Sequence, residues 1–133
     1  MTVYLDASAM AKLVIAEPES VALREWIGAR PDQPHVTNSI GVVELQRLAA
    51  RISEEALTTA VHLLTRIDQL DLTPLALARA AHLPPPGVRT LDALHIASAS
   101  ELSDLDVLVS YDERMLDAAA GYGLPVAAPG HRE

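Results

Sequence analysis

The chain has 133 residues, a formal net charge of −8, half its residues hydrophobic and no cysteine. That length suits one domain with a core of its own, and the lack of cysteine excludes disulfide scaffolds and thiolate metal sites. No apolar run approaches the roughly 20 residues of a membrane span, and no basic stretch precedes the apolar residues of the opening MTVYLDASAM, so a cytoplasmic protein without signal peptide is expected.

In chain order, Val3 to Leu5 reads as a short buried strand, followed at once by a helix from Ser8 to Ile15. Pro18 suits the first turn of a second helix running to about Ala29. His35 to Thr37 is the next strand, after which Asn38 or Ser39 caps a helix through about Arg51. Its apolar stripe is Leu45, Leu48, Ala49 and Ile52. Ser53 opens another helix, with Leu57, Ala60, Val61, Leu64 and Ile67 at helical spacing. Gln69 to Thr73 is predicted as a strand, and Thr73-Pro74 starts the helix after it. Pro84-Pro85-Pro86-Gly87 reads as a stiff loop, and Thr90 caps a helix reaching about Leu102. Asp106 to Ser110 is the clearest strand, then Glu113 to about Ala120 is helical, Gly121 to Gly123 end it, and Pro125 to Ala127 form a last strand. Strands alternating with helices imply crossover connections and a parallel sheet covered on both faces. The fold expected is a three-layer α/β/α sandwich, with residues 1–133 as one domain.

Functional groups of open parallel sheets gather at the carboxyl ends of the strands. Asp6 directly follows the first strand, and Asp112 follows the strand ending at Ser110. Each alone is read equally well as a helix cap. Asp92 says more, because its helix, LDALHIASA, is apolar nearly all round and therefore buried. A carboxylate there is costly unless it is paired or holds a metal, and Thr90 already offers a cap. Glu44 borders the apolar stripe of its helix, with Arg47 and Arg51 at i+3 and i+7 as plain surface partners. Carboxylates gathered in one crevice repel by about 4 kcal/mol per close pair at an effective dielectric near 20, so such a cluster needs protons or cations. All-oxygen ligands favour a hard ion, Mg²⁺ or Mn²⁺, and a water on that ion is the equipment for phosphodiester hydrolysis. Bridging cations also reconcile an acidic protein with a polyanionic substrate, which the net charge at first sight excludes.

These residues together resemble the PIN-domain ribonucleases, and more closely the VapC toxins of toxin–antitoxin pairs. Tyr4-Leu5-Asp6-Ala7-Ser8-Ala9 is similar to that family's first-acid motif, and Glu44 within Val43-Glu44-Leu45 to its second. Thr90-Leu91-Asp92-Ala93-Leu94-His95 matches the third, and Ser110-Tyr111-Asp112 the fourth. The match spans essentially the whole chain and departs nowhere from the acidic pattern. It implies a PIN fold, a homodimer, and Mg²⁺-dependent endonucleolytic cleavage of structured RNA such as tRNA or rRNA. It also implies a VapB-type antitoxin that blocks the site, often with a basic side chain reaching the acids.

On this reading Asp6, Asp92 and Asp112 hold one or two ions, while Glu44 orients or deprotonates the attacking water or binds the second ion. In-line attack leaves a 5′-phosphate and a 3′-hydroxyl. Ser8 and Ser110 hold the acids in place, and Arg47 and Arg51 face RNA phosphates or an antitoxin's acids, unless they pair on the surface. His95, one turn after Asp92, is read as a hydrogen-bonded core histidine, Asp117 as an outside candidate, Glu54 and Glu55 as dipole-favouring first-turn charges, and Trp26 as packing. Two rivals remain. A non-catalytic PIN-like interaction module would lose one or more acids, and an aspartyl-phosphate enzyme would carry Asp-x-Asp where Ala7 and Ser8 stand.

Overall fold

A computed structural model describes residues 1–131 of the protein. The strands β1 (Thr2–Leu5), β2 (His35–Asn38), β3 (Asp68–Leu70), β4 (Leu105–Val109) and β5 (Val126–Ala127) form one parallel sheet in the order β3-β2-β1-β4-β5. Helices α1 (Ala7–Val14) and α2 (Ser20–Gly28) connect β1 to β2, and α3 (Ser39–Ala50) and α4 (Glu54–Leu64) connect β2 to β3. Helices α5 (Pro74–Ala81) and α6 (Thr90–Ser100) lead to β4, and α7 (Glu113–Gly121) leads to β5.

The two-residue period of the strands sorts side chains into two cores. Val3 and Leu5 of β1, with Val107 and Val109 of β4, pack against Ala9, Met10, Leu23, Leu45 and Ala60 from α1 to α4. Tyr4 and Leu108 point the other way, onto Ile96 of α6 and Met115 and Ala119 of α7. This is the three-layer α/β/α sandwich expected, and β1 is buried on both faces as a central parallel strand must be. At Gly41 in α3 a β-carbon would run into Thr37 Oγ1 and come within 3.2 Å of His95 Cε1. The helix therefore rests directly on β2.

The chain moves from β1 outward to β2 and β3, then crosses back to β4 and β5 on the other side. The order reverses between β1 and β4, so the crevice at their carboxyl ends is the topological switch point where such sheets bind ligands. Asp6 N–H reaches Val109 O across it at 3.3 Å.

Several local expectations need correction. β3 ends at Leu70 rather than Thr73, because the Thr73 hydroxyl turns inward to cap α5 at Ala76 N. Thr90 is the first residue of α6, not its cap; Arg89 holds the cap position without a side-chain cap bond. Pro18 precedes α2, which begins at Ser20. Ile52 lies beyond the end of α3, leaves the helical register and is exposed. The stripe on α4 faces inward: Ala60, Leu64 and Ile67 are buried and Leu57 packs against them, leaving Val61 exposed. No described helix is long and apolar enough to cross a membrane.

Candidate active site

Asp6 sits in the first residue position after β1, where the chain turns into α1, and its carboxylate is almost wholly buried. Oδ1 accepts from Ala9 N at 2.9 Å, which makes Asp6 the N-cap of α1, and from Ser8 Oγ at 2.7 Å. Oδ2 accepts from Ser110 Oγ at 2.6 Å. The serines in turn accept backbone N–H groups, Ser8 from Tyr111 at 2.9 Å and Ser110 from Asp112 at 3.1 Å, so their hydroxyl protons are directed at Asp6. The cap and the site readings of Asp6 are therefore not rivals, because one carboxylate fills both geometries. Burial pushes its pKa up, against the lowering effect of Ser110, Ser8, His95 and the Ala9 N–H. No cation pairs with it among the described residues.

Asp112 is the N-cap of α7, with Oδ1 accepting from Arg114 N at 2.9 Å. Its Oδ2 lies 2.7 Å from Arg89 Nη2. Asp92, in the first turn of α6, turns its Oδ2 to the same arginine, 2.7 Å from Nε and 2.7 Å from Nη2. Arg89 thus bridges two acids that arrive from different elements, and the sequence reading passed it over. Burial raises the pKa of Asp92, opposed by Arg89 and reinforced by the charge on Asp112. For Asp112 burial acts in the same direction, but Arg89 and the Arg114 N–H outweigh it and hold the carboxyl below its usual range.

Glu44 meets His95, not Arg47 or Arg51: Oε1 lies 2.6 Å from Nε2 of this fully buried histidine. The hydroxyl of Tyr4, kept protonated by burial, lies 2.7 Å from Nδ1, so the imidazole is held between Tyr4 and Glu44. His95 is a hydrogen-bonded core histidine that ends on a site carboxylate. Asn38 fixes the frame around it, capping α3 through Gly41 N at 2.9 Å and donating to Ser98 Oγ of α6 at 3.0 Å. Helices carrying Glu44 and Asp92 are tied together by that amide.

Arg47 and Arg51 are exposed and line, with Ala7, Val43 and Leu91, a cleft of about 410 Å³ beside Glu44. Asp117 lines a second cleft with Arg89 and Asp92. Glu54 and Glu55 occupy the first turn of α4. Trp26 packs at the edge of the first core, under the guanidinium of Arg30 at 3.8 Å.

Hydrogen bonds therefore link Asp6, Asp112 and Asp92 into one chain through Ser110 and Arg89, while Glu44 stands on His95. No group of three His, Cys, Asp or Glu among the described residues forms a ready metal nest. Two things keep it open: the guanidinium lies between Asp92 and Asp112, and Asp6 is turned to hydroxyls and an amide. By chemistry the donors still fit a hard divalent ion, being carboxylate and hydroxyl oxygens around a buried acid that lacks a cation.

The sheet order and the acids at its switch point define a PIN domain: the PIN domain family model matches residues 3–121, and the chain belongs to this family. Within it the chain belongs with the VapC ribonucleases. It is 37% identical over 131 residues to ribonuclease VapC35 of Mycobacterium tuberculosis, covering 96% of this chain and 97% of that one. In fold it is similar to the crystal structure of Mycobacterium tuberculosis VapC20, a sarcin–ricin loop cleaving toxin, with a TM-score of 0.75 at 15% identity, covering 96% of this chain and all of the other. It is equally similar to VapBC2 from Rickettsia felis, a structure bound to a promoter DNA fragment, at a TM-score of 0.75 and 13% identity, covering 97% of this chain and 99% of that one.

Proposed function

We propose that the chain is the toxin of a toxin–antitoxin pair and cleaves structured RNA endonucleolytically in the cytoplasm, using Mg²⁺ held by Asp6, Asp92 and Asp112. The observation that carries this reading is the buried Asp6 carboxylate at the switch point, which has no cation partner among the described residues and is linked through Ser110 to Asp112. Ribonuclease activity follows the VapC relatives; the antitoxin, of the VapB type, follows the fold's occurrence in VapBC assemblies.

When bound, a divalent ion supplies Lewis acidity and lowers the pKa of a water it holds. Everything else falls to the chain. Ser8 and Ser110 fix both oxygens of Asp6, so the carboxylate does not rotate. His95 fixes Oε1 of Glu44, leaving Oε2 to take a proton from the attacking water. The water oxygen bonds to phosphorus as the P–O3′ bond breaks, and the leaving oxygen takes up a proton, giving a 5′-phosphate and a 3′-hydroxyl. Arg47 and Arg51 in the neighbouring cleft hold RNA phosphates or, in the inhibited pair, antitoxin acids. The protein acts as a homodimer.

The test is incubation of antitoxin-free protein with total cellular RNA, with and without Mg²⁺, beside Asp6→Asn. Discrete fragments requiring both the ion and Asp6 support the reading. Fragments that persist in the variant, or none from the wild type with Mg²⁺ bound, reject it in favour of a binding module.

A further inference from the structure

A guanidinium is a strange occupant for the mouth of a cation site. Arg89 makes three contacts of 2.7 Å to Asp92 and Asp112, and its side chain is still 43% exposed. The same side chain, with Asp92, borders a cleft of about 380 Å³ that is also lined by Gly87, Val88, Arg114 and Asp117. Gly87 and Val88 lead directly into Arg89, which precedes α6, so the arginine rides on a loop end rather than inside a helix. Asp92 and Asp112, by contrast, are fixed by α6 and by the cap of α7. Asp112 is tied to backbone N–H groups, whereas the Arg89 guanidinium is held by the two carboxylates.

We propose that Arg89 is a built-in competitor of the divalent ion and, once displaced, a phosphate-binding residue for RNA. In the ion-free protein its fork neutralises Asp92 and Asp112 and stops them repelling each other. A divalent ion entering between these acids takes over that task, because two positive charges on a compact centre outmatch one delocalised charge at the same carboxylates. The released guanidinium then turns into the adjoining cleft, where it stands with Arg114 on the path of the RNA backbone. A planar fork suits phosphate as well as it suits carboxylate, so nothing about the residue need change except its partner. Arg89 is thus a positioning residue without the ion and a substrate contact with it. The inference rests on the metal-site reading above.

The experiment is calorimetric titration of Mn²⁺ into wild type, Arg89→Gln and Arg89→Lys, with melting temperatures measured in EDTA. Arg89→Gln should bind Mn²⁺ about tenfold more tightly than wild type and melt lower without the ion, while Arg89→Lys falls between. The NMR signal of the Arg89 Nε–H should also move when Mg²⁺ is added to wild type. In RNA cleavage with saturating Mg²⁺, Arg89→Gln should raise KM several-fold and leave kcat near the wild-type value. Equal or weaker Mn²⁺ binding by Arg89→Gln, or an unmoved Nε–H signal in an ion-loaded protein, overturns the exchange. An unchanged KM overturns the phosphate role. A wild type that takes up no Mn²⁺ at all sinks the metal site itself, a failure distinct from either.

Discussion

Asp6 and Asp112 lie at the ends of neighbouring strands and each caps the helix that follows, yet different groups meet their charges. Asp6 is buried among hydroxyls and one amide, all neutral, and burial drives it toward the protonated form. Asp112 is part exposed, faces a guanidinium, and is held ionised. Equal positions in the fold thus carry opposite electrostatics. Neutral donors orient a carboxylate without cancelling its charge, whereas an arginine cancels the charge and closes the site. Among the described residues Asp6 has no cation partner, and Asp112 already has one in Arg89.

The largest break in this comparison is Asp6→Asn. Asparagine caps a helix about as well as aspartate, so the fold should survive while Mg²⁺-dependent RNA cleavage falls by roughly three orders of magnitude, the loss of several kcal/mol of charge stabilisation. Circular dichroism and a cleavage time course separate the two effects. Preserved activity would remove Asp6 from the site.

Next in size is the Glu44 arm. Glu44→Gln should lower the cleavage rate about a hundredfold if its carboxylate takes the proton of water. His95→Gln, which breaks the contact to Glu44 and orphans the Tyr4 hydroxyl, should lower it by about 10–100-fold, as loss of an orienting partner does. If His95→Gln slows cleavage far more than Glu44→Gln, the histidine acts directly and the roles are reversed.

Gly41→Ala sharpens the same point from the backbone side. The added methyl would meet Thr37 and crowd His95 Cε1, so α3 must lift from β2 or the imidazole must shift. Overpacking of this kind destabilises by about 1–3 kcal/mol. Urea unfolding should register that loss, with a cleavage rate several-fold lower because Glu44 rides on the same helix. A variant as stable and active as wild type would mean the contact yields freely.

The acids at the strand ends were legible because hydrophobic runs fix where strands stop, and the residue after a central parallel strand has only one crevice to enter. Asp92 was legible through the apolar periphery of α6. Arg89 was not, since it lies in a polar loop and its partner Asp112 is far along the chain, joined to it only by the crossover into β4. The spacing Arg89-x-x-Asp92 was a usable signal for half of the contact. The link from His95 to Glu44 was equally invisible, because it depends on Gly41 letting α3 settle on β2 near α6. Periodicity failed where a stripe was followed past a helix end, as at Ile52.

The smallest effect is one of pH on the ion-free protein. Burial raises Asp6 and Asp92 above their unfolded values, so each favours the folded state below its unfolded pKa and loses that contribution as pH rises through the folded pKa. Asp112, held low, behaves oppositely: its contribution is present above the unfolded pKa and fades as pH falls through the folded one. Asp92 and Asp112 share Arg89 and offset each other, leaving Asp6 as the residue whose sign should emerge. In EDTA at neutral pH, Asp6→Asn should therefore melt above wild type, and the gap should close on acidification through the raised pKa of Asp6. Mg²⁺ should close it too, at constant pH, by stabilising the wild type alone. A variant that melts below wild type at neutral pH without the ion would show that the three hydrogen bonds outweigh burial, and that Asp6 is held there as a structural cap rather than kept ready for a cation.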